Sequence, residues 1–213
     1  AATAKYLFHF CIDTQWKRSV FHQSLIAPER IEKLQQGEAK EAGEWFSQAK
    51  QPVTITSDDG LRLHGWLFDP DCTAPKPHLY AICMHGLVPS QRAQDLSEGR
   101  YVGMGWLERN DLLNWIDLIV SSDADARILL YGGSMGAATV MMTTGDPRLP
   151  RNVVSAIVDS GYTSARMVFI DNLRHSSHLL KPLAAACVDA TGLFCKHYAG
   201  YDFSEATCLQ SLR

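Results

Sequence analysis

Apolar and polar positions change rhythm along the chain. Residues 4–23, AKYLFHFCIDTQWKRSVFHQ, mix apolar and basic positions in the manner of an amphipathic helix. A second stretch, PERIEKLQQGEAKEAGEWFSQAK, opens with Pro28 and an acidic first turn, both helix-start signals, and its charges read as a solvated face. Residues 1–50 are thus expected to form an N-terminal helical segment ahead of a core at 51–213. In that core the rhythm becomes that of strands. PVTITSDDGLRLHGWLFDP alternates on both sides of Asp58-Asp59-Gly60, which spells a hairpin turn. After a loop, HLYAICM is the unbroken apolar run of a strand buried in a parallel sheet, with Cys83 as a small core residue.

The same alternation of element types continues to the end. GWLERNDLLNWIDLIVSS sets Leu112, Leu113, Ile116, Leu118, Ile119 and Val120 largely along one side of a helix. ARILLYG is a second buried strand, MGAATVMMTTG a small-residue helix able to approach a sheet closely, and NVVSAIVDSG a third buried strand. Helical material follows from about Thr163, and residues 163–199 are a candidate helical cap with apolar lining. Strands alternating with helices predict an α/β fold with a mostly parallel sheet and flanking helices. One junction breaks the pattern. HLYAICM ends at Met84 and LVPS resembles the end of another strand, yet only His85 and Gly86 separate them. Parallel neighbours need a crossover of about a dozen residues. Either LV is not a strand, or a segment is missing between Gly86 and Leu87; the second is the expectation.

Composition narrows the function classes. The chain has 213 residues, enough for one domain with a sizeable core, and 46% of them are hydrophobic. The net charge is -3 without a basic stripe, which argues against a nucleic-acid partner. No apolar run approaches the roughly 18 residues of a membrane span. The first residue is Ala1, not Met, so membrane contact is expected only through an absent N-terminal anchor. Six cysteines form no CxxC pair and eight histidines are dispersed, so neither a metal site nor a disulfide framework is expected. No dinucleotide fingerprint or phosphate loop is present, and no cofactor is implied. Compartment and oligomeric state are left open.

Gly132-Gly133-Ser134-Met135-Gly136 fits G-x-S-x-G. A nucleophilic serine needs this shape: a sharp strand-to-helix turn exposes its hydroxyl, and small neighbours let strand and helix meet. The Met135 N–H then faces a developing oxyanion beside a helix N-terminus. A buried strand before the motif and a small-residue helix after it are the context that gives the short pattern weight. His85-Gly86, at the end of an earlier strand, suits the loop that offers a second oxyanion N–H. His85 reads there as a loop-shaping residue, and the donor as Leu87, the next residue as written.

Several longer stretches resemble the α/β-hydrolase superfamily, and within it the prolyl-oligopeptidase-like and acyl-esterase serine hydrolases of bacteria. They are LRLHGWLF, MHG, SEGRYVGMGWLERNDLLNWIDLIV, ILLYGGSMGAATVMM, AIVDSGYTS and HYAGYDFSEAT, covering most of the chain from about residue 53. The resemblance implies an α/β-hydrolase fold and acyl transfer through Ser134, on a small ester or a short peptide. It also implies two departures. Ser90, Gln94 and Asp95 stand where relatives tend to carry Asp, His and Gly. Relatives continue past the GYDFSEA region with strands and loops bearing an acid and a histidine, whereas this sequence ends at Arg213. The fold is therefore expected to be incomplete, lacking a segment near 86–87 and C-terminal strands.

The triad order in this fold is Ser, acid, His. Asp159 is the best internal acid candidate, with a turn-capping role as its simpler reading. His175 and His178, three apart, suit one helical face and a lid or surface role; His197 is similar. Acid and base are expected outside these residues. A non-catalytic binding module that keeps the turn but lacks a triad is the competing reading, beside a peptidase.

Overall fold

The computed structural model describes residues 2–22, 36–69, 77–86 and 96–213. Helix α1 (Ala2–Cys11) ends well before the expected residue 23. The chain leaves the helix because residues 12–14 pair with the segment at 100–102. The Val102 N–H donates to the Ile12 carbonyl at 3.0 Å, and the Thr14 N–H to the Arg100 carbonyl at 2.9 Å. Asp13, only 1% exposed, anchors that pairing. Its carboxylate accepts from Arg100 Nε at 3.1 Å and Nη2 at 2.9 Å, and meets His9 Nδ1 at 2.8 Å. Burial pushes the Asp13 carboxyl up, but the hydrogen bonds from Arg100, His9 and the Gln15 N–H hold it below the ordinary carboxylate range.

Helix α2 (Gly37–Ala49) is the described part of the second expected helix and buries none of its residues. Strands β1 (Lys50–Thr56) and β2 (Arg62–Phe68) form the expected antiparallel hairpin, in register from Lys50 opposite Phe68 to Thr56 opposite Arg62. The Lys50 ammonium lies 4.6 Å from the centre of the Trp66 ring, which anchors the end of the hairpin.

The α/β class is realised in a three-stranded parallel sheet of order β3 (Leu79–Met84), β4 (Arg127–Gly133), β5 (Val153–Asp159). Helix α3 (Glu108–Ser122) precedes β4, and α4 (Met135–Thr144) crosses from β4 to β5. Ile128 and Leu130 of β4, with Ile82 and Met84 of β3, pack against Leu112, Leu113 and Ile116 of α3 and Val140 of α4. Of the apolar stripe foreseen in the sequence, Leu112, Leu113 and Ile116 are buried and Ile119 and Val120 partly so, while Leu118 is exposed because it turns away from the sheet.

The strands themselves are less buried than their unbroken apolar runs suggested. Burial along β3 alternates, and β5 is open along nearly its whole length. Cys83, expected in the core, is exposed. The reason is geometric: α3 and α4 cover one face, while Cys83, Tyr131 and Ile157 stand in register on the other. Among the described residues, five cysteines are free thiols.

After β5 come α5 (Ala165–Ser177), α6 (Lys181–Tyr198) and the short α7 (Cys208–Ser211). Ser164 caps α5, its hydroxyl accepting from the Met167 N–H at 3.2 Å. The helix stops at Ser177, and His178 lies beyond it in the left-handed region at φ 53°. His175 and His178 therefore do not share a helical face. Phe8 and Ile12 from the N-terminal segment join Ile170, Val188 and Met135 in a second core, so α1 is bound to the helices that follow β5. At the far end of α4, a Cβ on Gly145 would overlap the Ser211 carbonyl of α7.

The hairpin turn also touches α3. Asn114 Nδ2 donates to Asp58 Oδ1 at 2.9 Å. Burial, then the charges of Glu108, Asp59 and Asp58, push the neighbouring Asp111 carboxyl up to about 7. An unfolded aspartate titrates near ~3.9, so the folded chain binds this proton more tightly and stability falls as pH rises between the two values. Asp111→Asn removes that loss. At pH 8 the variant is expected to be more stable by about 2 kcal/mol, with no gain at pH 4, as read from thermal unfolding at both pH values.

Candidate active site

The turn at 132–136 is built by close backbone contact. A Cβ on Gly132 would overlap the Gly136 carbonyl, and one on Gly136 would overlap the Met84 carbonyl at the end of β3. The first turn of α4 can meet β3 and β4 only because both positions lack a side chain. Ser134 sits at the apex with φ 54° and ψ -115°, a backbone state that costs a non-glycine residue about 1–3 kcal/mol. The surroundings hold it there. Its N–H donates to the Asp159 carbonyl at 2.8 Å, and its own carbonyl accepts from the Ala138 N–H at 3.2 Å. The residue is exposed, while Met135 beside it is 8% exposed and sends its side chain into the second core. The Met135 N–H belongs to the first turn of α4, where backbone donors lack partners within the helix and attract negative charge.

The His85-Gly86 loop lies against this apex. A Cβ placed on Gly86 would stand 3.0 Å from the Gly133 carbonyl and 3.6 Å from Ser134 Oγ. His85 Nδ1 bonds the Gly86 carbonyl at 2.8 Å, which bends the loop toward the turn. Leu87, the expected second oxyanion donor, and the Gly86–Leu87 junction lie outside the described residues.

No known protein family matches the chain, and no curated protein matches it in sequence. Among solved structures it is similar to an esterase from Pyrococcus furiosus, 18% identical with a TM-score of 0.49, over 67% of this chain and 61% of that one. It is also similar to an alpha/beta hydrolase from Novosphingobium aromaticivorans, 16% identical with a TM-score of 0.31, over 74% of this chain and 70% of that one. The chain thus spans less than two thirds of the length of the esterase.

Of the candidate triad partners, the structure brings only Asp159 close to the apex. Its carbonyl holds the Ser134 N–H, and its carboxylate accepts from the Ser160 hydroxyl at 2.8 Å. His175 is on α5, His178 follows it, and His197 is on α6 against Tyr198. Among the described residues, no side chain hydrogen-bonds the Ser134 hydroxyl.

One contributor escaped the sequence reading. Glu108 accepts from the Gly103 N–H at 2.7 Å and the Gly105 N–H at 2.8 Å, which ties down the 103–107 loop. A Cβ on Gly105 would stand 3.0 Å from the Thr139 nitrogen, so this loop rests on α4 next to the turn. Burial pushes the Glu108 carboxyl up, opposed by those two N–H groups and by the charge of His85. Its signal was present in GMGWLE: a carboxylate three residues after a glycine can fold back onto that glycine's N–H.

Proposed function

We propose that the chain carries the nucleophile of a serine hydrolase of the α/β-hydrolase type, acting on carboxylic esters. The observation that carries this reading is the exposed, positive-φ Ser134 between β4 and α4, with Gly86 at its side. Such strain at an exposed hydroxyl is costly and has a purpose where that hydroxyl must reach a substrate. Ser134 Oγ attacks the ester carbonyl carbon and a general base takes its proton. The Met135 N–H donates to the oxyanion, and the alcohol leaves with a proton as the acyl-enzyme forms. Water then attacks the acyl carbonyl, releasing the acid and restoring the hydroxyl. A second oxyanion donor at Leu87, the base and its acid lie outside the described residues in this reading.

The hydroxyl without a side-chain partner favours one competitor: a binding module that retains the turn but not the reaction. Hydrolysis of short-chain aryl esters separates them. The proposed enzyme shows a rate that rises through neutral pH as a histidine with an ordinary value near ~6.5 loses its proton, and chelators leave that rate unchanged. His178→Ala and His197→Ala retain most of it. Loss of activity in either variant, with the fold intact by circular dichroism, would place the base inside the described chain. Absence of any ester hydrolysis by the wild type would favour the binding module, and cleavage of short peptides in preference to esters would favour a peptidase.

A further inference from the structure

Away from the serine, a cavity of about 510 Å³ lies between α1, α5 and α6, within the roughly 300–1,000 Å³ range of small-molecule sites. Nothing from the 132–136 turn or the 85–86 loop lines it. Its polarity is graded. Val188, Thr191 and Phe203 form a buried floor, and the Thr191 hydroxyl is already spent on the Cys187 carbonyl at 2.8 Å. Leu7, Phe10 and Phe169 make half-buried walls. Cys11 adds a wall that stays a neutral thiol, since burial pushes its pKa up to about 11. The polar lining is concentrated at the exposed rim, where Asn172, His175 and Ser176 share one turn of α5. His175 Nδ1 donates to the Asp171 carbonyl at 2.8 Å, so the imidazolium form of the ring turns its Nε2–H to the mouth, where it can donate to an anion.

From this grading we infer that the cavity is a binding site for a single-chain fatty acid, its alkyl chain on the floor formed by Val188 and Phe203 and its carboxylate at the rim against His175 and Asn172. A neutral apolar molecule would use the floor but not the rim. A peptide would leave backbone donors and acceptors unpaired against Val188 and Phe203. A carboxylate on one alkyl chain matches both ends, and each methylene buried contributes about 0.8 kcal/mol.

Calorimetric titration with dodecanoate and with dodecanol, both below their aggregation limits, tests this. Dodecanoate is expected to bind at one site per chain and about tenfold more tightly than dodecanol, the difference a charge-assisted hydrogen bond supplies. His175→Gln, an exposed substitution, should erase most of that preference while leaving dodecanol binding unchanged. Leu173, which also lines the cavity, gives a blocking variant: Leu173→Trp should narrow the space and weaken both ligands, and Ser134→Ala should change neither. Absence of saturable dodecanoate binding would overturn the inference, as would equal affinity for the two ligands or a preference untouched in His175→Gln. Dodecanoate binding lost in Ser134→Ala would also overturn it, since the ligand would then be occupying the serine site. The ligand preference and His175→Gln decide the matter even if Leu173→Trp fails to fold.

Discussion

A fluorophosphonate probe should attach to Ser134 and to no other serine of the chain. Ser134 is exposed at the apex of the turn, directly before the N-terminal turn of α4, where free N–H groups favour a developing negative charge. Among the described residues, the other serines lack that combination. Ser176 and Ser177, for example, donate their hydroxyls to backbone carbonyls of their own helix. Peptide mapping of the labelled protein should find the adduct on the peptide holding GGSMG, and Ser134→Ala should carry none. In an ester assay the same substitution should lower kcat by roughly 10⁴-fold or more, the range found where a nucleophile is removed from an acyl-transfer site. Labelling that persists in Ser134→Ala would contradict the assignment. An unlabelled wild type with a normal circular dichroism spectrum would leave Ser134 a structural residue.

Gly136→Val should be the most damaging of the small substitutions near the site. Its side chain would be forced into the Met84 carbonyl, and backbone at the end of a strand cannot rotate aside as a side-chain tip can. Overpacking of this kind costs about 3 kcal/mol or more, or roughly 10 °C in Tm for a chain of this size. Gly133→Ala is the control, because a Cβ there meets nothing within 4 Å. Its cost should stay near 1 kcal/mol. Thermal unfolding of the two variants side by side measures the contrast. Equal losses would mean that the close meeting of α4 with β3 does not constrain this turn.

Much of the frame could be read from periodicity. The hairpin around Asp58-Asp59-Gly60, the helix ending at Ser122 and the strand–turn–helix about Ser134 each carry a local signal strong enough to locate them. What failed was whatever depends on partners distant in sequence. The helix ending at Cys11 looks longer in the sequence because the pairing of residues 12–14 with 100–102 is invisible locally. Cys83 reads as core because an apolar strand does not state how many of its faces are covered. The strained turn at Ser134 was legible because it has a spelling. A general base for it was not, because a histidine in that role has no local motif and is defined only by what it touches.

The two ends of α4 behave as stops on a strut. Gly136 abuts the Met84 carbonyl at one end and Gly145 the Ser211 carbonyl at the other, backbone against backbone in both places. A rod held this way resists sliding along its axis, however freely side chains around it exchange rotamers. The ten residues of α4 span about 15 Å, so the position of the Ser134 hydroxyl is coupled through that helix to the four-residue α7 that meets its far end. Wear at that remote bearing, through a side chain placed at Gly145 or a loosened last turn of α7, would be transmitted as a change in alignment at the serine, although no atom near the hydroxyl had been altered.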